Sequence, residues 1–142
     1  MKISLITVTY NAEEFIEDCI RSVLKQTYKN IEYIIIDGYS TDSTLSIIQK
    51  FDDHISRLIS EKDQGIYHAM NKGIALATGD VIGMLNADDF LSENTILESI
   101  ANEFTNSNAD IVYGDLWYIS RSDPNHIIRK WISGSYHKNL FQ

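Results

Sequence analysis

Several features that would assign this sequence quickly are missing from it. It holds a single cysteine, Cys19, in 142 residues, so neither an internal disulfide nor a cysteine zinc site can form. Cations are scarce: 12 Lys and Arg stand against 20 Asp and Glu, a net charge of −8. That balance argues against a nucleic-acid or anionic-membrane binder with a basic patch. It leaves room for a phosphorylated ligand, because a bound divalent cation reverses the local sign. No apolar run approaches the roughly 18 residues of a membrane span, and the chain enters a strand at once. Neither a signal peptide nor a transmembrane segment is expected, and a cytoplasmic location is the default. No Gly-x-Gly-x-x-Gly follows the first strand and no Gly-x-x-x-x-Gly-Lys-Ser/Thr occurs, so phosphates have no glycine cradle. Repeats, low-complexity tracts and linkers are also absent.

What is present is ordinary globular material. Hydrophobic residues make up 44% and charged residues 23%, which suits one domain over 1–142 with a real core. Residues 3–8 form a short β-rich apolar run, then Asn11 and Glu14 suggest a capping pair. Phe15, Ile16, Cys19, Ile20, Val23 and Leu24 recur at helical spacing, with Cys19 on the apolar face as a buried thiol. Residues 31–36 make a second strand whose run of isoleucines predicts cover on both faces. A helix bearing Leu45, Ile48 and Phe51 follows.

A third strand is expected at 55–60 and a third helix around Ile66, Met70, Ile74 and Ala77, stopped by Gly79. Residues 81–85 read as a buried central strand, followed by a helix from about Ser92. Residues 111–113 read as another strand, and 117–120 with 127–131 as a hairpin around Ser122-Asp123-Pro124-Asn125. Alternating strands and helices imply an α/β fold with a mainly parallel central sheet flanked by helices.

In such a sheet ligands bind along the edge where the strands end. Four polar clusters follow four strands there: Thr9 to Asn11, Asp37 to Asp42, Glu61 to Gly65, and Asn86 to Asp89. Adjacent carboxylates repel, so Asp88 and Asp89 at a strand end suggest a compensating Mg²⁺ or Mn²⁺ shared with a ligand's phosphates. Asp37 reads either as a turn cap or as an acceptor for a nucleobase N–H. Asp63 reads either as part of a turn with Gly65 or as a carboxylate near a ribose or base. Ser40 and Asp42 are expected to cap a helix. Asn71, Lys72 and His68 are ordinary surface groups unless the third helix lines the crevice. Asp80, at the opposite edge, is structural.

Five stretches in order resemble the family 2 glycosyltransferases of the GT-A fold, a Rossmann-like nucleotide-diphospho-sugar transferase architecture. They are Ile-Ser-Leu-Ile-Thr-Val-Thr-Tyr-Asn, Ser-Val-Leu-Lys-Gln-Thr-Tyr, Ile-Asp-Gly-Tyr-Ser-Thr-Asp-Ser-Thr, Asp-Gln-Gly-Ile-Tyr-His-Ala-Met-Asn-Lys-Gly and Leu-Asn-Ala-Asp-Asp. The resemblance implies transfer of a sugar from a nucleoside diphosphate sugar to a glycan or glycoconjugate acceptor, usually with inversion and Mg²⁺ or Mn²⁺. By position it implies Thr9 and Asn11 near the nucleoside, Asp37 on the base, Asp63 beside the nucleoside and Lys72 approaching the phosphates. Asn86-Ala87-Asp88 stands where the family has Asp-x-Asp, so Asp88 would coordinate the metal and Asn86 face the ribose or donor sugar. Asn86 removes one charge, which implies weaker metal affinity.

The family's catalytic carboxylate lies in a later segment, and nothing after Ser133 offers one. Asp115 is the last well-placed candidate and matches a different position. The expectation is therefore a donor-binding portion, with the base beyond Gln142 and slow transfer or none. Apolar surface around Trp117, Trp131 and Phe141 would then lack cover and favour a homodimer. Peripheral membrane association is compatible with this reading. Two other functions fit the same residues: a nucleotide-sugar binding module without turnover, and a metal-dependent nucleotidyltransferase.

Overall fold

The computed structural model describes residues 1–107, 109–123 and 125–134. Four of the apolar runs pair as one parallel sheet: β1 (Ile3–Thr9), β2 (Ile31–Asp37), β3 (Arg57–Ser60) and β4 (Val81–Asn86), in the order β3-β2-β1-β4. β1 lies inside the sheet and is buried along its whole length. Around it pack α1 (Ile16–Leu24), the short α2 (Thr44–Ile48) with a 3-10 turn at Gln49–His54, α3 (Ile66–Leu76) and α4 (Ile96–Ser107).

The period-2 alternation of the strands sorts the core into two layers. Ile3, Leu5, Tyr33 and Ile35 face Ile16, Ile20, Ile48 and Leu97 on one side, while Ile6, Val8, Ile34 and Ile36 meet Ala69 of α3 on the other. The isoleucine run at 34–36 is thus covered on both faces, as expected.

The starting edge of the sheet is held by a buried carboxylate. Glu32 accepts from the Ser4 hydroxyl at 2.5 Å, the Thr78 amide and hydroxyl at 2.8 Å each, and Lys2 Nζ at 3.1 Å. Asp80 accepts the Lys2 amide at 2.7 Å, the structural role expected of it.

Four local expectations are corrected. Asn11 does not cap α1, which starts at Ile16 without a side-chain cap. Gly79 is not the stop of α3, which ends at Leu76; it lets the chain cross β1, since a Cβ there would lie 2.7 Å from the Lys2 carbonyl oxygen and the Ser4 amide nitrogen. α4 begins four residues later than Ser92 because Gln26 intercepts its first turn. The Gln26 amide donates to the Glu93 carbonyl at 2.7 Å and its oxygen accepts the Leu97 amide at 3.0 Å, the two groups that a helical turn would pair. Residues 111–113 are not a strand; among the described residues they have no ladder partner, and Ile111 is exposed.

The chain divides into two compact units, Met1–Asn102 and Glu103–Gln142. In the second, β5 (Leu116–Ile119) and β6 (Ile127–Trp131) form the expected antiparallel hairpin. Trp117 and Trp131 are both exposed, with Lys130 and Arg129 respectively over their rings. Phe141 lies outside the described residues. Among the described residues no helix is long and apolar enough to cross a membrane.

Candidate functional site

Parallel pairing brings the strand ends side by side. Thr9 is opposite Asp37, Asp37 is opposite Ser60, and Asn86 is opposite Val8. Positions far apart in sequence therefore meet along one edge.

The loops after β1 and β2 are sewn to each other. Gly38 N–H donates to the Thr9 carbonyl at 2.8 Å, Asn11 N–H to Ser40 Oγ at 2.9 Å, and Thr41 N–H to Asn11 Oδ1 at 2.8 Å. Ala12 N–H reaches Thr44 Oγ1 at 2.8 Å and Ser43 N–H reaches Glu13 Oε2 at 2.8 Å. Asp42 takes the Thr44 amide at 3.0 Å, but the N-cap of α2 is Ser43, without a side-chain cap bond; Ser40 braces Asn11 and Asp37. Asn11 and Tyr39 both have positive φ, 48° and 68°. A network this dense fixes the wall of the site before any ligand arrives.

Asp37 is 0% exposed. Its Oδ2 accepts the Ser60 hydroxyl at 2.6 Å and the Ser40 amide at 3.1 Å, and the Ser40 hydroxyl donates to its Oδ1. The carboxylate braces the strand ends from beneath.

Asp63 has the opposite character. Its side chain is 8% exposed, and Oδ1 takes Lys72 Nζ at 2.5 Å and His68 Nδ1 at 3.0 Å. Lys72 also pairs with Glu61 at 2.7 Å. The Asp63 hydrogen bond, then that of Glu61, raises the Lys72 pKa. Among the described residues, however, the buried Asp63 Oδ2 finds no partner, and neither does the buried Thr9 Oγ1. A buried polar atom left unpaired is costly, and such groups mark sites that a ligand satisfies.

At the end of β4, Asp88 is exposed and Asn86 donates from Nδ2 to Asp89 Oδ2 at 3.3 Å. Burial, with the charge of Asp88 beside it, raises the Asp89 carboxyl. Among the described residues no three His, Cys, Asp or Glu side chains converge on a cation position. Asp88 and the amide oxygen of Asn86 are too few ligands for a resident metal. They fit an ion that arrives with a diphosphate, because Mg²⁺ is commonly held by one or two carboxylates plus substrate phosphates.

These edges enclose an open cleft of about 1090 Å³ in the first unit. Of the residues expected at the site, Thr9, Asn11, Asp63, Asn86 and Asp88 line it; Asp37 and Lys72 do not. Asp37 lies below the surface and Lys72 is spent on Asp63 and Glu61. The sequence did not single out Tyr10, Phe15, Tyr39, Lys62 and Ile66, which also line the cleft. Neighbouring the motif residues was their only signal. Cys19 is a core thiol, its pKa pushed up to about 11 chiefly by burial. Asp115 belongs to the second unit, where its Oδ1 accepts the Ser133 amide at 2.8 Å.

Comparison with known proteins places this arrangement. The family described as Glycosyl transferase family 2 matches residues 4–141. Glycosyltransferase GlyG of Streptococcus pneumoniae serotype 4 is 35% identical over 126 residues, covering 87% of this chain and 42% of that protein. A PGL/p-HBAD biosynthesis glycosyltransferase of Mycobacterium tuberculosis is 39% identical over 117 residues, 80% of this chain and 46% of that one. The chain thus spans less than half the length of these relatives. Among solved structures, S. aureus TarS 1-349 in complex with UDP-GlcNAc superposes with a TM-score of 0.71 at 26% identity, over 78% of this chain and 33% of that one. Mannosyltransferase PcManGT from Pyrobaculum calidifontis in complex with GDP-Man and Mn²⁺ gives 0.64 at 26% identity, over 84% of this chain and 36% of that one.

Proposed function

The chain belongs to glycosyl transferase family 2, and from that premise we propose that its cleft holds a nucleoside diphosphate sugar whose sugar passes to a glycan or glycoconjugate hydroxyl. The single observation that carries the donor site is the pair of partnerless buried atoms, Thr9 Oγ1 and Asp63 Oδ2, in the cleft that Asp88 also lines. Asp63 Oδ2 accepts an N–H of the nucleoside, and the Thr9 hydroxyl donates to one of its oxygens. Asp88, with Asn86 Oδ1, would hold Mg²⁺ or Mn²⁺. When bound, the ion would offset the charge that develops on the departing diphosphate.

In this reading the acceptor oxygen attacks the anomeric carbon from the face opposite the diphosphate. The anomeric C–O bond to phosphate breaks, and the configuration inverts. The acceptor's proton is taken by a base as the new bond forms. Asp37 supports the nucleoside wall through Ser40 rather than by touching the base. Polysaccharide or glycoconjugate synthesis in the cytoplasm is the setting proposed for the whole enzyme.

Calorimetric titration with UDP-GlcNAc and GDP-Man, with and without Mn²⁺, tests the donor site. Binding of one of them that strengthens with Mn²⁺ supports it; no binding of either in the presence of Mn²⁺ overturns it. Transfer to glycan acceptors separates an enzyme from a module that only binds.

A further inference from the structure

Three polar groups meet deep in a core layer that is otherwise apolar. Thr7 of β1, Tyr33 of β2 and Cys19 of α1 are all buried. Tyr33 and Cys19 pack with Leu5, Ile35 and Leu85, and Thr7 shares the face of Leu5 by the strand's period of two. Thr7 Oγ1 lies 3.1 Å from the Tyr33 hydroxyl, and Cys19 Sγ lies 3.8 Å from Thr7 and 3.9 Å from Tyr33. Polar groups persist in a core where partners satisfy them, and a satisfied network fixes one arrangement of the elements that carry it.

The cluster has an outlet. Cys19 Sγ donates to the Asn86 carbonyl at 3.5 Å, the shortest of its three contacts here. Of the four groups only that carbonyl brings no proton, so it is the fixed end toward which the donors run. Burial, with the charges of Asp89 and Asp88 adding to it, pushes the Cys19 thiol up to about 11, and the sulfur therefore keeps the proton it donates. Asn86 is the last residue of β4, and the same carbonyl accepts the Asp89 amide at 3.1 Å. That second bond closes the turn carrying Ala87 and Asp88. One oxygen thus ties the turn to the core. Thr7 is paired with Leu85, the residue just before it.

We infer that Thr7, Tyr33 and Cys19 are positioning residues that lock the turn at residues 86–89 from within the core and so aim Asp88 at the donor's ion. The inference rests on the ion-binding role proposed above for Asp88. None of the three touches the donor; they act through the Asn86 carbonyl. Asp88 is exposed, so its aim comes from the backbone that carries it. Aim matters because Mg²⁺ demands near-ideal geometry, with oxygens at about 2.0–2.1 Å. Groups standing behind a metal ligand are commonly worth about ten- to a hundredfold in metal affinity. A thiol is a weak donor, which sets the expectation at the lower end.

Calorimetric titrations of the full chain with UDP and GDP, in Mn²⁺ and in EDTA, test it. The variants are Cys19→Ala, Thr7→Val and Tyr33→Phe, with Ile20→Val as an apolar control from the same helix. The readout is the gain in nucleotide affinity that Mn²⁺ gives, set beside the melting temperature. Cys19→Ala cuts that gain about tenfold and leaves the affinity in EDTA native. Thr7→Val and Tyr33→Phe cut it by less, since they act through the thiol. Ile20→Val lowers the melting temperature and keeps the gain in full. An undiminished gain in Cys19→Ala overturns the inference. So does an undiminished gain in both Thr7→Val and Tyr33→Phe, or an equal loss in Ile20→Val. If the native protein gains nothing from Mn²⁺, the ion-binding role of Asp88 falls and the inference with it. If it binds neither nucleotide in Mn²⁺, the donor-site reading falls first.

Discussion

Lys72 and Asp63 meet through one oxygen: Nζ is 2.5 Å from Oδ1, while Oδ2 of the same carboxylate is buried without a partner. The ammonium engages Oδ1 and leaves Oδ2 to face a ligand, so the pair fixes how that second oxygen is presented. Lys72→Met is expected to lower the melting temperature and weaken nucleoside diphosphate binding together. The Lys72 pKa is raised, first by Asp63 and then by Glu61. Its contribution is therefore complete below the ordinary lysine value of 10.5 and fades only as pH rises beyond it. Melting curves of native protein and variant from neutral to strongly alkaline pH should converge at the alkaline end. Curves that already coincide at neutral pH would show the pair to be idle.

Asp37 is expected to act on stability before it acts on binding. Asp37→Ala leaves the Ser40 amide and the Ser60 hydroxyl without their acceptor in a buried place, at a cost of about 2–4 kcal/mol. Urea unfolding measures it. Free nucleoside diphosphate and nucleotide sugar should weaken by the same factor, since the loop that Asp37 braces serves both. Unchanged stability with a loss confined to the nucleotide would return Asp37 to the base.

For Asp88, the readout is the Mn²⁺ dependence of donor binding. Asp88→Asn should weaken the donor about thirtyfold in Mn²⁺, or about 2 kcal/mol, and flatten the response to the ion. Asp89→Asn should do less, because that carboxylate already holds Asn86. Equal effects of the two would reassign the ligand.

Glu32 sets an acid limit. The Ser4 hydroxyl, then the Thr78 amide, lowers its carboxyl from 4.5 to about 2. A depressed carboxyl contributes stability that is complete above its unfolded value and is lost as pH falls through its folded value. The expected loss therefore runs from about pH 4.5 down to about pH 2. Glu32→Gln should remove about 2 kcal/mol near neutrality and shrink that acid slope. A variant with the native acid slope would assign the slope to other carboxylates.

The sheet was legible because residues 3–8 form a β-rich apolar run and the isoleucines of 31–36 call for cover on both faces, and the cleft followed from where such strands end. Asp63 and Asp88 could be placed at that edge for the same reason. Partner choice was not legible: nothing in the sequence says that Lys72 spends its charge on Asp63, or that Asp37 turns inward to Ser40 and Ser60. The same blindness misplaced the start of α4, because Gln26 is remote in sequence from the turn it occupies. Left-handed tyrosine was hidden too, since backbone strain at Tyr39 is imposed by Asp37 and Asn11 and not by its neighbours' propensities.

The strand order β3-β2-β1-β4 also governs how the chain is born. β1 pairs with β2 soon after synthesis, but its other edge waits for Val81–Asn86. At general translation rates of about 5–20 residues per second, the interval between completing β2 and completing β4 is about 3–10 s. Throughout it, the strand that ends up buried along its whole length offers unpaired amides and carbonyls to any passing chain. Aggregation during expression should then depend on how quickly residues 38–86 emerge, and slowing translation within that window should cost yield that slowing it after Asn86 does not.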